Sequence, residues 1–583
     1  MSGDGPPDSF TYSESDGPTT AGPKAIREDL LEAFATSPPD LPFADQPSEA
    51  FLETEYFDLD DLADQSIVER YWVHEPYAQV AILHDAADER YRYHVIEPNL
   101  SSFETRVMAD LKETIRRVLR NQPPDPDRSI PETIQSIIAS HAIPVSDGSL
   151  HKIYYRIVRD FTGYDWIDPL MRDSRLEEIS CDGADIPVFV YHQDYQDLET
   201  NLMAASSALD GYVRRLAQRT DATLSVADPL TSATLPDGSR VQLTLGSDIA
   251  LRGSNFTIRL FKETPFTPVD LVATNTFSIQ QMAYLWLAIA SNKSIMFVGP
   301  TASGKTTSMN AVSLFLRPEA KVVSAEQVHE LSIPHDNWIA TVTREGLGES
   351  GPQRVTMYDL LQNALHQRPE YILVGEIRTE PEVVRTYFQS VFTGHPGGTT
   401  FHASTAQNAI NRLMSEPLSI DEQLINALDL ISVQHQVSLG DKERRLRRNM
   451  TLSEVQSSDD AQEISLVDLF RWDPATDSIT PEVSSLLESS VIQDIAASRG
   501  WDDDRLLQDL ANRRAVLEYL LDAEIRSYDT VVETFQRFAR NQSAVLAAIR
   551  ERRLTDDGFQ PATDTGGADP ELESGHIDDT STP

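Results

Sequence analysis

An α/β fold divided into several domains is predicted for this chain, on three observations. Its 583 residues exceed what one hydrophobic core accommodates. From about residue 278 to 403, helical and strand patterns alternate, as in a mainly parallel sheet with helices on both faces. Within that alternation a glycine-rich turn, GPTASGKTT (299–307), follows an apolar strand and opens a helix, and phosphate chemistry in such folds sits at the carboxyl ends of the strands.

Residues 1–50 are rich in Gly, Pro, Ser, Thr, Asp and Glu and poor in large apolar residues, which predicts a disordered acidic arm. A small N-terminal α/β module follows over 51–120: YAQVAILHD and YRYHVIEP are strands around the polar turn DAADE, and a helix spans 102–119. Four prolines in NQPPDPDRSIPE mark a linker and helical segment over 121–150. The middle α/β domain, 151–268, opens on the helix HKIYYRIVRDF and continues in strand-like IPVFVYH, LSVAD, RVQLTL and NFTIRLF, with turns at PDGS and RGSN.

The core domain, 269–455, alternates a helix over 278–291, strand SIMFVG, a helix from Lys305, strand KVVSAE, helix MYDLLQNALHQ, strand YILVGE, helix PEVVRTYFQSVF and strand TTFHA. A mostly helical region, 456–553, carries the amphipathic stretches DDRLLQDLANRRAVLEYLLDAEI and VVETFQRFARNQSAVLAAIRERR, which suit a helical cap or an oligomer contact. Residues 554–583 are predicted to be a disordered acidic tail.

Asp and Glu number 92 against 49 Lys and Arg, a formal net charge of -43, so direct contact with nucleic acid is not expected. The acids are spread through the chain (Asp194, Asp197, Glu199, Asp228, Asp237, Asp248), the pattern of a protein working in concentrated salt; acidic tails on an ordinary acidic protein are the alternative. One cysteine, Cys181, excludes an internal disulfide or a paired-cysteine zinc site and fits a reducing cytosol. The start MSGDGPPDSF has neither a basic segment nor an apolar run, and MAYLWLAIAS is too short to cross a bilayer, so membrane association is expected only through a partner.

The turn fits G-x-x-x-x-G-K-[ST]. Gly299, Pro300, Thr301, Ala302, Ser303 and Gly304 supply backbone to wrap phosphates, and the helix start at Lys305, Thr306 and Thr307 adds positive potential. Lys305 has the reach for the β and γ oxygens, and the Thr306 hydroxyl suits Mg²⁺. Phosphoryl transfer to water also needs carboxylates, and two strand ends supply them: Glu326 with Glu330 four residues on, and Glu376 after Gly375. Taken singly, each acid also reads as a strand-end or capping residue, with the two readings equal for Glu326, and His402, placed in an apolar strand, reads first as a core histidine.

The ordered set GPTASGKTT, SAEQVHEL, RPEYILVGEIR and TGHPGGTTFHA resembles the Walker A, Asp box, Walker B and His box of type II/IV secretion ATPases. Upstream, DPLMRDSRLEEISCDG, LPDGSRVQLTL, RGSNFTIRLF, RYWVHEPYAQV and YRYHVIEPNL are similar to the archaeal branch with its archaellum and type IV pilus motors; the likeness covers about 65–455. The resemblance implies a RecA-like P-loop core that hydrolyses ATP with Mg²⁺, held by Thr306 and Glu376. It also implies Glu330 as the residue orienting the attacking water, Glu376 in the metal–water network, Glu326 in the same box, and His402 as the γ-phosphate sensor. Arg240 and Arg259 match arginines aimed at nucleotide across a subunit boundary. A cytoplasmic homohexamer follows from the same resemblance, peripheral at the inner face of the membrane through a polytopic platform protein and acting indirectly on pilin-like subunits.

Two departures stand out: Gln327 occupies the position where the Asp box carries its Asp, and a four-cysteine zinc module cannot be made. Gln327 raises the alternative of a nucleotide-binding scaffold with little turnover, and a motor for conjugative or DNA-uptake traffic is a second alternative. The basic run KERRLRR (442–448) either faces a membrane-platform protein or neutralises neighbouring acids.

Overall fold

The computed structural model describes residues 22–86, 88–121, 129–141, 143, 145–220, 222–261, 264–344, 354–438, 445–457 and 464–560. The chain forms two compact units, Met1–Lys262 and Glu263–Pro583.

The first unit is built on a nine-stranded sheet: β1 (Ser66–His74), β2 (Ala78–Asp85), β3 (Arg90–Ile96), β4 (Leu176–Cys181), β5 (Pro187–His192), β6 (Gln196–Met203), β7 (Leu230–Thr234), β8 (Arg240–Thr244) and β9 (Asn255–Arg259). Their order is β1-β2-β3-β6-β5-β4-β9-β8-β7. The expected N-terminal module and middle domain therefore share one sheet, joined where β3 runs parallel to β6, Arg92 opposite Glu199 and Tyr93 opposite Thr200. LSVAD, expected as a strand, is irregular, whereas β1, β4, β6 and β7 were not foreseen among the strands.

The expected disordered arm also differs within its described part. Pro23–Thr36 is a helix that buries Ile26, Leu30 and Phe34, a four-residue spacing that puts all three on one face, and Asp29 pairs with Arg70 of β1 at 2.7 Å. Composition averaged over 50 residues hid this short apolar stripe; residues 1–21 lie outside the described residues. The expected disordered tail differs in its described part too, where Leu554–Thr555 pairs antiparallel with Gly558–Phe559; 561–583 lie outside the described residues. Within the expected linker, Ile130–Ala139 is helical and starts on a reciprocal Ser129–Glu132 cap.

The second unit carries β10 (Ile295–Val298), β11 (Val322–Glu326), β12 (Trp338–Val342), β13 (Tyr371–Ile377), β14 (Gly397–Phe401), β15 (Leu430–Ser438), β16 (Arg445–Ser457), β17 (Ile464–Asp473) and β18 (Ser478–Pro481), in the order β12-β11-β13-β14-β10-β15-β16-β17-β18. The pairs from β12 to β15 are parallel, and β16, β17 and β18 extend the sheet antiparallel. The region expected to be mostly helical from 456 thus begins with two strands.

Strand alternation sends Ile295 and Phe297 into one core and Met296 and Val298 into the other, so helices cover both faces. Each fully buried side chain contributes roughly 1.5–3 kcal/mol, which ties the two layers to the sheet. On the first face, helix Ile279–Ala290, capped by the Ser278 side chain, buries MAYLWLAI on every side. Trp286 there stacks on Phe315 and meets Phe535 and Phe538 of the C-terminal helix Tyr528–Arg540, so that region caps the core. Among the described residues no helix is long and apolar enough to cross a membrane.

Candidate active site

The site starts from β10, whose apolar residues are all buried and deliver the chain to the P-loop at the carboxyl edge of the parallel sheet. Gly299 is required there: a Cβ would stand 2.2 Å from the Gln434 carbonyl oxygen and 2.4 Å from Ser303 Oγ. Gly304 adopts φ +89°, outside ordinary L-residue conformations, and hands the chain to helix Lys305–Ser313. The Pro300 carbonyl accepts from Ser303 Oγ at 2.9 Å and Lys305 Nζ at 2.7 Å.

Lys305 is 7% exposed, and burial pulls its ammonium below the usual lysine range while the charges of Glu376 and Glu330 pull it back up. Both carboxylates therefore share its electrostatic neighbourhood. Lys305 Nζ also lies 3.4 Å from His402 Nδ1, and His402 Nε2 lies 2.7 Å from Glu376 Oε1. An ammonium only donates, so Nδ1 accepts from Lys305 and Nε2 donates to Glu376, and the ring bridges the two side chains. His402 stands one residue past β14 and is partly exposed, not inside the strand as expected.

Glu376 owes its aim to a bulge. Between Val374 opposite Thr399 and Ile377 opposite Phe401, β13 has one residue more than β14, and the freed Gly375 carbonyl accepts from Thr400 Oγ1 at 2.7 Å. Gly375 also makes room for the neighbouring strand: a Cβ there would press on Glu326 Cγ at 3.3 Å. The second Glu376 oxygen accepts from Arg378 Nε.

Glu326 is 1% exposed, and its Oε2 accepts from the backbone N–H of Glu330 at 2.7 Å and Leu331 at 2.9 Å. Burial raises its pKa, against the lowering effect of those two N–H groups. The next amide, Ser332 N–H, donates to Asn310 Oδ1 on the P-loop helix at 3.0 Å. Three consecutive amides are thus held by two side chains, which fixes the turn carrying Glu330.

Lys305, His402, Glu376, Glu326 and Glu330 are brought together in the second unit. Arg240 and Arg259 lie in the first, directly opposite each other on β8 and β9, where Arg259 Nε donates to Glu178 Oε2 at 3.2 Å. Sequence reasoning gave no role to Asn310 or Arg378; Arg378 stands one residue past the end of β13.

The family described as type II/IV secretion system protein matches residues 200–475, and the family described as PilB3-like, N-terminal matches 52–99. The uncharacterized protein MJ0900 of Methanocaldococcus jannaschii is 33% identical over 69% of this chain and 72% of its own length. The chain belongs to the type II/IV secretion system protein family. Family membership and the P-loop geometry make it a nucleotide-binding ATPase. It is also similar to the type IV secretion system protein VirB11 of Bartonella henselae, at 25% identity over 42% of this chain and 78% of that protein. Solved structures with a likeness include the Yersinia pseudotuberculosis ATPase DotB, at 16% identity and TM-score 0.37, covering 62% of this chain and 89% of that one. The pilus retraction motor PilT with bound ADP is another, at 18% identity and TM-score 0.34, covering 57% and 89%.

Proposed function

We propose that this ATPase is the homohexameric motor of a machine that assembles or secretes pilus-like filaments, of either the type IV pilus or the archaellum kind. It acts from the cytoplasmic face on a polytopic membrane platform protein and moves pilin-like subunits indirectly. The observation that carries the reading is the connection of Lys305 through His402 to Glu376, beside a turn clamped to present Glu330.

In this reading the P-loop amides and Lys305 bind the phosphates of ATP, and Glu330 orients the attacking water and receives its proton. His402 leaves Lys305 for the γ-phosphate when ATP occupies the cradle, and so reports the nucleotide to Glu376. Glu326 and Asn310 hold the Glu330 turn. Gln327 removes one acid from the box, but the clamp made by Glu326 does not involve it, which favours a working motor over a scaffold.

Mg²⁺ suits the donor set. It keeps several waters and takes substrate phosphates with one or two protein oxygens, so the Thr306 hydroxyl and the Glu376 carboxylate suffice, although no cluster of three or more His, Cys, Asp or Glu is present among the described residues. Bound there, it would neutralise charge on the phosphates. Arg240 and Arg259 are placed by this proposal at the neighbouring subunit's nucleotide, where a guanidinium stabilises the transferring phosphate. The acidity of the chain we attribute to a halophilic, archaeal setting.

Chromosomal deletion tests the assignment. The account expects loss of a surface filament or of its secretion, restored by the wild-type gene and not by Lys305→Ala; normal filaments together with lost DNA uptake would replace it with the DNA-traffic reading.

A further inference from the structure

The basic run at 442–448 resolves into two different roles within its described part. Arg448 is 3% exposed and donates to Asp477 from Nε at 2.7 Å and Nη2 at 2.8 Å, so it is a structural anchor. Arg447, its neighbour on β16, faces the other way. Its Nε donates to the Ala302 carbonyl of the P-loop at 3.2 Å, and its Cδ lies where a Cβ on Gly304 would meet it at 3.3 Å. The side chain therefore lies along the residue that begins the P-loop helix.

Strand order gives this contact a direction. β10, which feeds the P-loop, has β14 on one side and β15, then β16, on the other. His402 follows β14, Glu376 sits on β13 and Glu330 follows β11, so every group placed at the terminal phosphate stands on one flank. Arg447 stands on the opposite flank, where the remainder of the nucleotide has to lie.

We propose that Arg447 is a nucleotide-binding residue whose guanidinium pairs with the inner phosphates, the part shared by nucleoside di- and triphosphates. A guanidinium fork matches phosphate oxygens in shape and charge, and the Arg447 side chain is only half-buried. The proposal rests on the nucleotide-binding reading of the P-loop. Its rival is a brace that shapes the P-loop through Ala302 without touching nucleotide.

The test is binding of fluorescent ADP and ATP analogues, with steady-state turnover, for the full chain and for Arg447→Ala, Arg447→Gln and Lys305→Ala. Both Arg447 variants are expected to weaken ADP and ATP alike, by on the order of ten-fold, and to raise KM more than they lower kcat. Glutamine can still donate to Ala302, so wild-type affinity in Arg447→Gln would leave only the brace. A fall in ATP affinity with ADP unchanged would move the contact to the γ-phosphate and overturn the proposal. Should the wild-type chain bind neither nucleotide, the P-loop reading fails as well; should wild type bind and Arg447→Ala bind equally, this proposal fails alone.

Discussion

Replacing Glu326 separates its two properties, an acceptor and a buried charge. Glu326→Ala removes the acceptor of two amides, Glu330 N–H and Leu331 N–H, on a side chain only 1% exposed. Each buried donor left without a partner costs roughly 1–3 kcal/mol, and relief from burying a carboxylate returns part of the sum, so a net loss of about 3 kcal/mol is expected. Glu326→Gln keeps a carbonyl oxygen for both amides. Because burial raises the folded-state pKa, the carboxyl contributes its full stability below its unfolded pKa and loses it as pH rises through the folded value. Glutamine does not titrate, so its melting temperature gains on wild type as pH climbs across the carboxylate range. The assays are amide hydrogen exchange at Glu330 and Leu331, thermal melts against pH, and ATP turnover. Exchange should accelerate by about a hundredfold in Glu326→Ala and stay near wild type in Glu326→Gln, with turnover following the same order. Equal exchange and turnover in the two variants would refute the clamp.

Gly375→Ala places a methyl group against Glu326 Cγ at 3.3 Å, so turnover should fall several-fold with a loss of about 1 kcal/mol in stability; unchanged kinetics would show that Glu326 gives way freely. Asp477→Ala leaves the buried Arg448 without its carboxylate and should cost about 2–3 kcal/mol in chemical denaturation, less than for a fully enclosed pair because Asp477 is one-third exposed. Arg448 lowers the Asp477 pKa, so this contribution is present above the carboxyl's unfolded pKa and is lost as pH falls through the folded value. With a net charge of -43, melting temperature should rise steeply as KCl increases from about 0.1 M to about 1 M, where the Debye length shrinks from about 10 Å to about 3 Å; a maximum at low salt would contradict the halophilic reading.

The P-loop edge of the sheet was largely legible because its signals are local. Strand SIMFVG, a glycine turn and a helix from Lys305 follow each other in sequence, and the structure reproduces them as Ile295–Val298 and Lys305–Ser313. The Glu376 bulge and the Glu326 clamp were not legible, since each depends on which strand lies next door: Gly375 acquires its meaning only beside Glu326. The joining of the first unit's strands into one sheet rests on the pairing of Arg92 with Glu199, more than a hundred positions apart, which no periodicity announces. Arg447 was visible as charge, but its neighbour Ala302 belongs to a distant segment, so composition offered only neutralisation or a partner surface.

ATP turnover in molar KCl with Mg²⁺, measured for wild type, Lys305→Ala and Glu330→Gln with oligomer mass recorded on the same samples, tests the motor most directly. The account predicts a hexamer whose turnover both substitutions abolish, Glu330→Gln still binding ATP; ATP binding without turnover by the wild-type hexamer would contradict it and leave a scaffold.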